Sequence, residues 1–140
     1  MAVTKIVYRF RDASVPPRYH RSYTISVTAN EANVVVDSYG TQLNETTVQL
    51  LPSEFQAALD IIEKSQIAVE TEISPKTVGG KIDYLTLFED DTEIFKASTH
   101  GSGAQRDCVL CGDIKAVRQY LRSLFPNFQN LVTTESKFPQ

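Results

Sequence analysis

Cys108-Val-Leu-Cys111 contains the only two cysteines of the chain, at C-x-x-C spacing, followed at once by Gly112-Asp113 and a helix-like pattern. A thiol at a helix start has a lowered pKa, because the helix N-terminus favours the thiolate. That is the chemistry of thiol redox. Two thiolates are also half of a tetrahedral zinc site, with His100 as a third ligand eight positions upstream and His20 as a fourth if the fold brings it in. Neither reading has its full signature. A redox pair normally follows an early strand of a βαβ unit, and a zinc motif repeats the C-x-x-C or adds paired histidines. The competing account makes both cysteines small buried hydrophobes flanking Val109-Leu110. The primary expectation is therefore no cofactor, with zinc or redox chemistry at Cys108, Cys111 and His100 as the alternative.

The second candidate is a basic patch. In Lys5-Ile-Val-Tyr-Arg-Phe-Arg11 every second residue shares a face, so Arg9 and Arg11 point together. The next strand offers a hydroxyl row of Ser22, Thr24, Ser26 and Thr28. Guanidinium forks beside hydroxyls suit a carboxylate or phosphate. Arg18, His20 and Arg21, after Pro16-Pro17, extend the patch. The plainer alternative is the solvated face of an antiparallel sheet.

Three further groups point to chemistry less well. Glu89-Asp90-Asp91-Thr92-Glu93 lacks the spacing and central glycine of a calcium loop and reads as a hairpin turn. His100-Gly101-Ser102-Gly103 has histidine where a nucleophile elbow needs glycine. Tyr8, Phe10 and Tyr23 would stack on bases only if they left the apolar strand faces, where core packing explains them.

The elements that must position these residues follow from periodicity. Strands are expected over 5–11, 20–29, 34–39, 46–50, 67–73, 82–88 and 93–97. A helix should begin at Ser53, whose spacing to Gln56 fits a capping box, with Phe55, Ala58, Leu59 and Ile62 on its apolar face. A second helix should begin at Asp113, a good N-cap type, bearing an apolar stripe of Ile114, Val117, Leu121 and Leu124 and a basic stripe of Lys115, Arg118 and Arg122; Pro126 stops it. Adjacent strands joined by short turns pair antiparallel. The expected fold is α+β, a single antiparallel sheet of about six or seven strands with two helices packed on one face. One domain is expected over 1–132, with 133–140 a frayed tail.

Bulk composition narrows the function. The chain has 140 residues, a net charge of −3 and 41% hydrophobic residues, values ordinary for a globular domain. An acidic balance argues against general nucleic-acid binding, and no apolar run is long enough to span a bilayer. Two cysteines and no visible export signal make the cytosol the expected compartment. The charge is uneven. Residues 1–30 carry five basic groups against Asp12 alone, whereas residues 31–99 carry thirteen acidic groups against four basic. Such asymmetry creates separate surface fields.

Tyr8-Arg9-Phe10, the run from Ser14 to Thr24, Val36-Asp37-Ser38-Tyr39-Gly40, Gly79-Gly80 and Cys111-Gly112-Asp113 together resemble an uncharacterised family of small bacterial domains. The resemblance covers most of the chain. It implies a bacterial, cytosolic origin and brings no activity and no functional residues with it. The residues themselves point to a non-enzymatic binding domain that engages an acidic protein or a small anion through Arg9, Arg11, Arg18, His20 and Arg21. The rival classes are the zinc or thiol protein above and a homodimer paired through an exposed strand edge.

Overall fold

Alternation along the strands sorts the side chains into two layers. The computed structural model describes residues 3–12, 22–38, 41–70, 81–99, 109–126 and 128. The elements run β1 (Lys5–Asp12), β2 (Ser22–Thr28), β3 (Glu31–Ser38), β4 (Thr41–Gln49), α1 (Pro52–Lys64), β5 (Ala68–Glu70), β6 (Lys81–Glu89), β7 (Thr92–Ser98), β8 (Val109–Cys111) and α2 (Ile114–Ser123). The strands form one sheet in the order β4-β3-β2-β1-β6-β7-β8-β5. All pairs are antiparallel except a short parallel contact at Ser98 and Val109. The α+β fold with one sheet is as expected. The strand count reaches eight because the C-x-x-C segment itself forms a three-residue strand against β5, too short to leave a periodic signal.

Opposed residues of an antiparallel pair share a face. Ile6, Tyr8 and Phe10 on β1 oppose Val27, Ile25 and Tyr23 on β2, and Leu87, Leu85 and Asp83 on β6. Val34 and Val36 of β3 continue the same layer. Both helices cover this face, adding Phe55 and Ala58 from α1, Val117 and Leu121 from α2, and Phe125 and Phe128 beyond it. The other face carries Lys5, Val7, Arg9 and Arg11 on β1 and the hydroxyl row of β2. No described element packs on that face.

Capping sets where the helices start. The first helix begins earlier than the Ser53 expectation: Pro52 occupies its first turn, and the Glu54 carboxylate accepts from the Leu51 N–H at 2.9 Å. Proline preset for the first turn, with a glutamate reaching back, outcompetes the Ser53 cap. The second helix starts as expected, with Asp113 Oδ1 accepting from the Ala116 N–H at 3.1 Å.

Gly112 ties the two helices together. Its φ is +98°, and a Cβ there would stand 2.6 Å from the Gln66 carbonyl oxygen and 2.7 Å from that of Ser65. The next residue, Asp113, donates its N–H to the Ser65 carbonyl at 2.9 Å. The end of α1 thus seats the start of α2. Replacing Gly112 with alanine adds both a left-handed strain and a backbone clash. It should lower the unfolding free energy by about 2 kcal/mol or more in urea titration. An unchanged midpoint would show that this close approach is not needed.

Candidate functional site

On the open face, β1 sets Arg9 beside β2 and β3. Arg9 forks onto Asp37, 3.0 Å to Oδ1 and 3.3 Å to Oδ2, and donates to Thr24 Oγ1 at 2.9 Å. Asp37 is buried, so this cation is already matched within the fold. Arg11, two residues on, is exposed. Lys5 lies 5.7 Å from the centre of the Phe88 ring, and Lys96 of β7 is exposed opposite Thr86. Lys5, Arg11 and Lys96 make no ion pair among the described residues. Of the acids of this face, Glu31, Asp37 and Glu45 lie toward the β3–β4 edge, and Glu93 of β7 opposes Phe88 on the other side. Half-buried Val7, Tyr84 and Phe88 sit between the cations. Arg18, His20 and Arg21 lie outside the described residues, so the structure joins only Arg9 and Arg11 of the expected patch.

Of the cysteine pair, Cys111 is half-buried on β8, and its thiol donates to the Ala68 carbonyl at 3.4 Å. Cys108, His100 and His20 lie outside the described residues. Among the described residues, no group of three or more His, Cys, Asp or Glu is placed to hold a metal. Glu89 to Thr92 form the hairpin turn between β6 and β7, with the Asp90 N–H donating to Thr4 Oγ1 at 2.6 Å. On the β4 edge, Asn44 Oδ1 accepts from the Glu45 N–H at 2.9 Å, which occupies one backbone donor that a pairing strand would otherwise use.

The most unusual chemistry lies on the helix-covered face. Asp83 of β6 is buried, and its Oδ1 accepts from both the Tyr8 hydroxyl and the Arg118 guanidinium, the latter at 3.0 Å. Arg118 also lies 5.5 Å from the centre of the Phe10 ring. Phe10 stacks on Tyr23 at 5.4 Å, and Tyr23 meets the edge of Phe128 at 4.9 Å. The Phe128 ring in turn carries the Arg122 guanidinium at 4.6 Å. Tyr23 is therefore sandwiched between two phenylalanines, each bearing an arginine from successive turns of α2. The Tyr23 residue is only 4% exposed, and its buried hydroxyl makes no hydrogen bond among the described residues.

Sequence reasoning assigned Tyr8 and Tyr23 to the core and the α2 arginines to a basic stripe, and it missed Asp83. The signal was present. Asp83 shares strand parity with Leu85 and Leu87, and an acid in that position must find a partner.

A scan against models of known families finds no match, and a search of curated proteins finds no relative of this chain.

Burial pushes the Tyr23 hydroxyl up to about 12, against the pull of Arg122 and Arg118. Burial also pushes Tyr8 well up, reinforced by Tyr23 and Asp83. For Arg118, burial works against the charge, but Tyr8 and Asp83 outweigh it and its pKa rises. Folded tyrosines that hold their protons above the unfolded value of about 10 stabilise the fold fully below that pH and progressively less above it. Stability should therefore fall between pH 10 and pH 12, by about 1.4 kcal/mol per pH unit for each tyrosine. Guanidinium titrations across that range measure it. Tyr23→Phe should keep neutral-pH stability within about 1 kcal/mol, because no hydrogen bond is lost, and should make the alkaline slope shallower. An unaltered slope would contradict the burial of that hydroxyl.

Proposed function

We propose that this chain is a non-enzymatic binding domain that engages an acidic protein through the basic half of its open sheet face. The observation that carries this reading is the distribution of charge around β1. Lys5, Arg11 and Lys96 stand without ion-pair partners among the described residues, around half-buried Val7, Tyr84 and Phe88; Glu31, Asp37 and Glu45 lie toward the β3–β4 edge, and Glu93 opposes Phe88. Lys5 and Arg11 lie six residues apart on one strand, about 20 Å at the usual rise. A small anion cannot bridge that span, whereas a protein surface can. Apolar contacts between cations fit the pattern of a protein interface with a polar rim.

Arg9 anchors this face rather than touching the partner. Reversing it would set a second carboxylate against buried Asp37, so any loss of binding would report on folding. The clean test reverses Arg11 and Lys96 together. Arg11→Glu/Lys96→Glu should weaken capture of the acidic partner by about tenfold or more and flatten its salt dependence, while Lys115→Glu on α2 should leave capture intact. Cross-linking of the captured complex should place partner peptides on β1, β6 and β7. Equal capture by all variants, or cross-links confined to the helices, would refute the reading.

A further inference from the structure

We propose a second binding site, separate from the sheet face, in which Arg118, Arg122 and the hydroxyl of Tyr23 receive a small oxyanion, a carboxylate or phosphate group. Two features of the cluster lead there. First, a buried donor left without an acceptor costs free energy, and natural proteins retain few of them. Tyr23 keeps its hydroxyl where phenylalanine would pack equally well, between Phe10 and Phe128. Second, Arg118 and Arg122 stand one helical turn apart, where like charges repel. Asp83 neutralises Arg118. Arg122 has no carboxylate partner among the described residues and rests only on the Phe128 ring. The cluster of Asp83, Arg118 and Arg122 therefore carries one net positive charge beside a hydroxyl that makes no hydrogen bond among the described residues.

An oxyanion supplies what each group lacks. It accepts from the Tyr23 hydroxyl, pairs with Arg122, and takes the guanidinium N–H groups of Arg118 that Asp83 does not use. Entry requires Arg122 to swing off the Phe128 ring, a contact weak enough to be exchanged for an ion pair.

The test uses the full chain, with inorganic phosphate and acetate as separate probes, each titrated to about 10 mM at constant ionic strength, enough to saturate a millimolar site. Binding is read by NMR and by thermal melting. Either probe should give saturable shifts at β2 and α2 and a raised melting temperature, and the tighter probe identifies the headgroup. Arg122→Gln should abolish the effect, and Tyr23→Phe should weaken it about tenfold while the variant stays as stable as the parent. Arg11→Glu/Lys96→Glu should bind the probes normally, which separates this site from the sheet face. Absence of saturable binding by both probes, or equal binding by Tyr23→Phe and Arg122→Gln, would overturn the proposal.

Discussion

The carboxylate of Asp83 is the constraint on which the helix-covered half of the molecule depends. A charge placed among Tyr8, Leu85 and Phe10 loses its hydration, a penalty of several kcal/mol unless partners replace the water. The Tyr8 hydroxyl and the Arg118 guanidinium both converge on it. Arg118 reaches it only if α2 lies over the seam between β1 and β6. One buried acid thus fixes where the second helix docks, and Gly112 fixes how closely its first turn can approach the end of α1. Apolar burial alone would have held α2 to the sheet, but it is indifferent to sliding by a residue. A paired charge is not, because either partner left alone inside would be strongly unfavourable.

The aromatic stack follows from the same placement. Once α2 crosses this seam, Arg118 must pass over Phe10, and Arg122, one turn later, falls on Phe128. Tyr23 fills the gap between the two rings. Its position is a consequence of strand register, since it opposes Phe10 directly. The hydroxyl is the one part of this arrangement that packing does not account for.

The open face has the opposite economy of charge. There Arg9 is consumed by Asp37 in holding β1 to β3 across β2, while Lys5, Arg11 and Lys96 face outward. Strands of the acidic middle of the chain flank β1 on both sides, β3 and β4 on one and β6 and β7 on the other, yet only Arg9 of these cations is matched by an acid among the described residues. The antiparallel order converts a charge asymmetry along the chain into a field across a surface.

Much of the scaffold was legible in the residues alone. The period of two in Ile6, Tyr8, Phe10 and in Tyr23, Ile25, Val27 located the central strands and their buried face, and Asp113 announced its helix. These are local signals, set by side chains within a few positions of one another. The chemistry-bearing contacts were not local. Asp83 and Arg118 are separated by 35 positions, and Tyr8 and Asp83 by 75. The strand β8 was too short for its pattern to register, and the pairing of Arg9 with Asp37 depended on a strand order that no periodicity encodes. By itself the sequence determined which faces are apolar, where the chain turns, and that the charge is uneven. Only the tertiary structure decided which cations are matched and which remain available, because a charge finds its partner through space, across strands whose neighbours are chosen by the whole sheet.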